Sequence, residues 1–561
     1  MKEGSASVEK AIIPYRDDMR PPIGSTAMSA DGFPGSLRAL CSNLVFRSAL
    51  YRRLVLDGPV PNQLLRGFPC HAPGDRTQAD AIVGKEFLFY GRRVPFGVMP
   101  FSVLPPGRTL AAALHGFAWL GDLAAIGTGE ARVRARALVT NWISANRRWT
   151  ELAWSPAVLG RRLAAWLAAA EFVLDGADGD ERVRFLESAG RQARHLARIA
   201  NSIAKEPGVF DAAEGEIAAA LCLDAVPLAP ALGRLESAIA HHILADGGHV
   251  GRNPAVQLSI FRSLVEIRSA LDEAHQQPLD VVNSAIQIMA PALRTLRHGD
   301  GRLALFHGAK ESDRTLIDSL LAASRVSTSA VASLPQTGFE RVSAGRMLLL
   351  VDAGSPPANG HASPLAFELS IGRERLVVNC GAFAGDDPRW HAALRSTAAH
   401  STVGIGNASV RAGGWITTRP IHTRCERQSA DGAVWLDMSH DGYHRHFGIV
   451  HRRRLYVTDA GSEIRGEDSL DGRRGRRFEA RFHLHPDVRA SLSADGVSVE
   501  LKLPSSAVWR FLAVGGLLSL EESAYLGVAD QPRRTQQIVV SGETGRDGAR
   551  LKWAFRQDGD G

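Results

Sequence analysis

Apolar residues recur at three- and four-residue steps through much of residues 36–325, the spacing that lines them along one face of a helix. The clearest runs are LAAALHGFAWLGDLAAIG (110–127), ARVRARALVTNWISAN (131–146), GRRLAAWLAAAEFVL (160–174) and ERVRFLESAGRQARHLARIANSIA (181–204). Gly, Pro and Asp divide them, as in DGADGD (175–180) and KEPG (205–208). Serial helical hairpins of this length predict a helical array or toroid, although no strict sequence repeat is present. Around 325–340 the texture changes. Short alternating or β-branched runs follow, among them RMLLLVDAG (346–354), RERLVVNCG (373–381), AVWLDMS (433–439), RFEARFHLH (477–485) and QQIVVSG (536–542), with Gly, Asp or Asn turns between them. Many short strands at regular spacing predict an antiparallel sandwich. The stretch from 60 to 105 is looser, with strand character in VPFGVMPFS, and leads into the helical half. The expected architecture is an N-terminal tail over 1–35, an (α/α) toroid over 36–330 and an antiparallel β-sandwich over 337–561. A cleft is expected where the two large units join.

Length and composition agree with this picture. A chain of 561 residues is too long for one ordinary domain, and 45% hydrophobic with 22% charged residues is globular composition. Of 66 basic residues only seven are Lys, leaving 59 Arg (66 − 7) against 59 acidic residues. Arg in this abundance suits bidentate binding of carboxylates, sulfates or phosphates, and it is equally what a GC-rich genome produces. The five cysteines, at 41, 70, 222, 380 and 425, lack C-x-x-C spacing, so neither a disulfide framework nor a zinc ribbon is expected. The N-terminal sequence MKEGSASVEKAIIPYRDDMRPP has no apolar core of a secretory signal, and no apolar run reaches the roughly 20 residues that span a bilayer. The expectation is a cytoplasmic chain without a transmembrane segment, periplasmic if the true start lies elsewhere. Phosphate-binding G-x-x-x-x-G-K-[ST] and G-x-S-x-G elbow sequences are both missing, which removes the sequence support for NTPase and serine-hydrolase readings. Arg452–Arg454 and the cluster Arg473, Arg474, Arg476 and Arg477 come without a nucleic-acid motif, so nucleic acid is not an expected partner.

The most informative stretch is HASPLAFELSIGRERLVVNCGAFAGDDPRWHAALRSTAAHSTVGIG (361–406), which sets His361 ahead of the box RSTAAHST that starts at Arg395 and contains His400. HDGY (440–443), HRRRLYVTDAGSEIRGEDSL (451–470) and RFHLHP (481–486) follow. WLGDLAAIG (119–127), WSPAVLGRRLAAWL (154–167) and ILADGGHVGRNPAVQLSI (243–260) lie in the helical half. In their order and spacing these segments resemble the heparinase II/III-like family of polysaccharide lyases over roughly residues 40–560, with Ser401 in place of the family's Asn. The resemblance implies a toroid joined to a sandwich and β-elimination on a uronic-acid-containing polysaccharide. Such chemistry needs a neutralised carboxylate, a base that reaches the C5 proton and an acid for the departing 4-oxygen. The resemblance also implies a helical-domain site after an Asp-Gly. Here Asp246-Gly247 leads to Arg252, Asn253 and Pro254, with Gln257 where the family carries a His, and no Tyr lies between Tyr90 and Tyr443.

The candidates for catalysis are therefore His249, His298, His400 and Tyr443. His249 sits in a flexible Gly-Gly-His-Val-Gly turn, and Tyr443 has His440 and His444 beside it. Arg252, Asn253, Gln257, Arg302, His361 and Arg395 are the candidates for substrate binding. Asn253 is equally a helix N-cap, and His298 and Arg302 share a Gly-Asp-Gly turn. His483 and His485 alternate on a strand and could share a metal with a third ligand that spacing does not identify. No cofactor is required, and a structural zinc is implied only by the resemblance. The expected partner is an acidic polysaccharide, and a homodimer is left open. Two alternatives remain beside the lyase: a glycoside hydrolase using Asp246 with Glu374 or Asp387, and a polysaccharide-binding protein without turnover.

Overall fold

The computed structural model describes residues 45–558 except 47, 52–55, 98–100, 102–106, 278, 407–408 and 410–420. Helices occupy the first half, from Ala49–Tyr51 to Arg314–Ala323, interrupted by a hairpin of Glu86–Phe89 with Arg92–Pro95. The strand character expected at VPFGVMPFS belongs partly to this hairpin, and residues 98–100 and 102 lie outside the described residues. The helices start where short polar side chains can satisfy their first N–H groups. Thr128 caps Gly129–Ala145, Asp178 and Glu181 form a reciprocal capping box on Gly179–Ile199, and Asn253 caps Pro254–Glu273.

At the centre of this half runs Val209–Leu223, buried along nearly its whole length. Its polar residues survive burial because they are paired. Asp211 meets Arg161 at 3.1 Å, Glu214 meets Arg262 at 3.1 Å and Glu216 meets Arg234 at 2.5 Å. Helix Pro156–Ala168 crosses it through glycine. A Cβ on Gly160 would stand 2.1 Å from the Asp211 carbonyl oxygen, and one on Gly215 would stand 2.5 Å from the Gly160 Cα. Gly160→Ala is expected to lower stability by about 3 kcal/mol, read as a lower urea midpoint, because backbone rather than a flexible side chain blocks the new methyl. An unchanged midpoint would mean that the two helices can separate freely.

The second half is an antiparallel sandwich of two sheets. One runs in spatial order Arg489–Leu492, Ser498–Lys502, Val508–Val514, Ala549–Gln557, Glu463–Gly472, Ile449–Val457, Ala433–His440, Thr423–Ala430. The other runs Leu517–Tyr525, Arg533–Glu543, Arg477–Leu484, Glu374–Val378, Phe367–Ile371, Met347–Asp352, Phe339–Ala344, Ser333–Leu334, with Val403–Ile405 pairing beside Arg477–Leu484. Phe367, Phe482, Phe511, Trp553 and Phe555 fill the space between the sheets. The first sheet shows its outer side chains to solvent, whereas Met347–Asp352 and Phe367–Ile371 are buried on both faces. The helical half covers them, with Leu296, Ala304 and Phe306 packed on Leu348 and Leu350.

The loop 244–253 clamps the two halves together. Asp246 accepts the Gln336 and Thr337 backbone N–H groups at 2.8 and 2.7 Å and the Thr337 hydroxyl at 2.7 Å. Among the described residues no single helix is long and apolar enough to cross a membrane; the pair Arg108–Gly116 and Leu120–Ile126, bent by 45°, meets that measure only together.

Candidate active site at the domain seam

The strand Met347–Asp352 ends in a fully buried carboxylate. Asp352 accepts from the Ser363 hydroxyl at 2.9 Å, lies 3.1 Å from His307 Nε2 and pairs with Arg252. Burial alone would raise its pKa, but the Arg252 guanidinium and His307 hold it down to about 2. Arg252 also donates to the carbonyls of Thr337, Ser355 and Gly338 at 2.5, 2.8 and 2.9 Å and lies over the Phe339 ring at 4.9 Å. Its donors are thus spent on tying the helical half to the sandwich.

Beside Asp352 three histidines come together from both halves. The His361 backbone N–H donates to His307 Nδ1 at 3.3 Å, and His361 Nδ1 lies 3.1 Å from His400 Nε2. His400 Nδ1 lies 2.8 Å from the Ser396 carbonyl oxygen, which can only accept, so Nδ1 carries the proton. All three rings are held below the ordinary histidine pKa, first by burial: His400 at about 4, His361 and His307 in the same direction, with the Arg395 charge adding to the effect on His361. Neutral rings fix the proton positions. His400 Nε2 must accept, so His361 Nδ1 donates to it, and His361 Nε2 is left with a lone pair. No hydrogen bond to that nitrogen is made among the described residues, and it lies 3.1 Å from where a Cβ on Gly308 would stand. The Asn253 amide nitrogen lies 3.7 Å from the same point and already donates to the His307 carbonyl at 2.9 Å, which leaves its second hydrogen. The Asn253 carbonyl oxygen caps the helix, accepting from Ala255 and Val256.

Gly308 and Ala255 form the wall of a cleft of about 670 Å³, which Tyr90, Thr109, Arg302, Lys310 and Phe383 also line. The cleft continues past Arg302 and Glu311 to Arg314, Arg373 and Arg533. Lys310 is 3.0 Å from Asp530 and 5.8 Å from the Tyr90 ring, and Arg302 donates to Glu311 at 2.7 Å.

The remaining candidates lie elsewhere. His298 is buried with Glu368 at 2.9 Å and Ser370 at 3.0 Å, and Glu368 also accepts from Leu305 and Asn379. His249 is stacked on His242 inside the helical half, its Nδ1 accepting from Gly251 at 3.1 Å. Gln257 donates to the Gly247 carbonyl at 2.7 Å. Tyr443 is sealed in the sandwich core, with its hydroxyl donating to the Val403 carbonyl at 2.8 Å. The carboxylates considered for hydrolysis do not converge: Asp246 holds the seam, Glu374 accepts from Ser505, and Asp387 caps the helix Pro388–Arg395. The zinc implied for His483 and His485 does not fit these residues. His483 is 2.8 Å from the Ser523 hydroxyl and 3.0 Å from the Ala398 carbonyl, whereas His485 turns to Glu311 and Asp487 at 3.9 and 3.5 Å. Among the described residues no three His, Cys, Asp or Glu side chains form a metal-holding group.

A pH dependence follows from the neutral rings. His400 titrates near 6.5 in the unfolded chain and at about 4 when folded. Its contribution is complete above pH 6.5 and is lost as pH falls from 6.5 to 4, because the unfolded chain takes up the proton first. His249, also lowered to about 4, acts in the same window. Stability against urea is expected to fall by roughly 3 kcal/mol or more across this interval, above the range in which Asp352 titrates. A flat profile between pH 6.5 and 4.5 would contradict these assignments.

The helical layer, the sandwich and the seam between them place the fold, and the chain belongs to the heparinase II/III-like family. Residues 327–554 match the profile of the heparinase II/III-like C-terminal domain. The chain is 31% identical over 516 residues to FtsZ-localized protein C of Caulobacter vibrioides, covering 86% of this chain and 88% of that protein. Its fold is that of a heparinase III crystal structure, with a TM-score of 0.70 at 13% identity over 91% of this chain and 88% of the other. The heparan sulfate lyase HepC of Pedobacter heparinus, in a mutant form, superposes with a TM-score of 0.60 at 15% identity, over 86% of this chain and 83% of that one.

Proposed function

We propose that this protein cleaves an acidic, uronate-containing polysaccharide by β-elimination in the inter-domain cleft. The observation that carries the reading is the geometry of the His361–His400 pair, with His361 Nδ1 3.1 Å from His400 Nε2 and His361 Nε2 turned to Gly308 in the cleft wall; in this reading that Nε2 is the unprotonated nitrogen. In this reading the second hydrogen of the Asn253 amide meets the uronate carboxylate and stabilises charge that builds up as C5 loses its proton. His361 Nε2 takes that proton. The electron pair forms the C4–C5 double bond as the C4–O4 bond breaks, and the imidazolium returns the proton to the leaving oxygen. Arg302, half-exposed along the cleft, and the largely buried Lys310 would receive neighbouring acidic groups.

Gly308 supplies the test. With φ at +88° and His361 Nε2 3.1 Å from the position of a Cβ, Gly308→Ala strains the backbone and crowds the His361 ring. Release of unsaturated, ultraviolet-absorbing ends from uronate polymers is expected to fall at least about tenfold, with the polymer still bound. Full activity in this variant would move the chemistry away from His361.

A second reading, binding without turnover, is favoured by the sealed Tyr443 and the committed Gln257, since neither offers an acid or base to the cleft. It predicts saturable polymer binding with no new chain ends. The relative named for localisation to FtsZ supports placing either activity at FtsZ assemblies, which co-sedimentation with FtsZ polymers would test.

A further inference from the structure

We propose that a ladder of arginines on the outer face of the eight-stranded sheet anchors an acidic polysaccharide at a second, non-catalytic site; the choice of polymer rests on the cleft reading, whereas the ladder does not. The register of the sheet builds it. Arg424, Ser439, Arg452, Ser469 and Arg550 are successive cross-strand neighbours on five strands. All five belong to the side of the sheet that faces away from the sandwich core. Arginine thus recurs at every second strand, about 9.6 Å apart, and no carboxylate interrupts the row. Between the arginines, neither serine hydroxyl has a hydrogen-bond partner among the described residues.

Cations outnumber carboxylates around the ladder. Glu426 pairs with Arg424, and Asp437 is shared by Arg452 and Arg454. Glu467 is shared by Arg454, Arg550 and Lys552, and Glu463 by Arg465 and Arg556. Seven cations thus draw on four carboxylates, an excess of three (7 − 4). The other outward charges on the eight strands do not cancel it: Arg489, Lys502 and Arg510 stand against Asp471 and Glu500, and Asp558 beyond the last strand pairs with Arg510. Asp471 is itself followed by Arg473 and Arg474 in an exposed turn. The Arg424 and Arg550 side chains are 74% and 67% exposed, so their remaining donors face solvent. Such donors bind carboxylates bidentately, and the serine hydroxyls between them can meet sugar hydroxyls. The spacing selects among polyanions. Two strand steps are close to the length of a disaccharide, so a polymer with one carboxylate on every second sugar meets one arginine per repeat. Nucleic acid carries its charges far more densely, one per about 1.7 Å of duplex. An extended acidic peptide repeats its same-side carboxylates at about 6.8 Å. A second copy of this face would set two cation-rich surfaces against each other. Holding one polymer at both the ladder and the cleft raises avidity for long chains without touching the chemistry.

Calorimetric titration with hexasaccharides of hyaluronan and of unsulfated chondroitin, each carrying one carboxylate on every second sugar, tests the proposal. The titration uses His361→Ala, so that no substrate is consumed. At least one hexasaccharide is expected to bind at two sites per chain, and adding Arg424→Gln with Arg550→Gln should leave one. Both arginines are exposed, so circular dichroism should be unchanged. A single bound hexasaccharide that the two substitutions weaken at least about tenfold would uphold the ladder and count against the cleft, which keeps the two failures distinguishable. The proposal is overturned if neither hexasaccharide binds, or if binding is the same with and without the two substitutions. It is equally overturned if a deca-glutamate peptide or a single-stranded octanucleotide binds more tightly than either hexasaccharide and is lost with the same substitutions, which would give the face to another partner.

Discussion

Asp352→Ala is expected to destabilise the protein by about 3–5 kcal/mol, the cost of removing one partner from a buried ion pair. The deleted carboxylate faces a buried guanidinium, which would be left without its counter-charge, and a buried neutral imidazole, whose Nε2 hydrogen would lose its acceptor. The loss should be local as well as global. Arg252 holds the carbonyls of Thr337, Gly338 and Ser355, so amide exchange at the start of the sandwich should accelerate. Pairing Asp352→Ala with Arg252→Met should recover part of the stability, because the orphaned charge is then also gone. A change below 1 kcal/mol in the single variant would mean that water enters the seam and replaces the carboxylate.

His361→Ala is expected to lower the elimination rate by 10² or more, the usual scale for a positioned general base, while the fold persists. His400→Ala should act through His361. It removes the acceptor that keeps the His361 proton on Nδ1, so the rate should fall less and its pH profile should shift. His298→Ala separates scaffold from chemistry, because His298 is enclosed by Glu368 and Ser370; its effect should appear in stability rather than in product formation. Equal rates in wild type and His361→Ala would leave the cleft without its base.

The two-part architecture was legible because periodicity is a property of faces. Helix stripes at three- and four-residue spacing and strands at period two must each bury one side, and the sequence shows where one regime replaces the other. The box around His400 drew attention to a histidine that the fold sets against the Ser396 carbonyl and His361, whereas the Ser401 and Thr402 hydroxyls turn to the Val378 and Pro364 carbonyls. What stayed hidden were partners distant in sequence. Asp352 reads as the end of an apolar strand, and only the fold brings it to Arg252, 100 residues earlier. A carboxylate closing a run as apolar as MLLLV was the available signal, since such a group is tolerated in a core only when paired. His307 closes the segment RHGDGRLALFHG (297–308), and its tie to His361 depends on the docking of the two halves. Arg252, Asn253 and Gln257 show the limit from the other side. All three sit at one helix entry, yet only the Asn253 amide retains a hydrogen beside the cleft wall, because Arg252 is spent on the seam and Gln257 on Gly247.

The most direct measurement is ultraviolet absorbance of wild type and His361→Ala incubated with heparan-type, chondroitin-type, alginate and bacterial exopolysaccharide polymers, with the new chain ends identified by mass. The account predicts a rising absorbance on at least one uronate polymer, unsaturated non-reducing ends and loss of both in His361→Ala. Saturated ends, or binding with no new ends on any polymer, would contradict it.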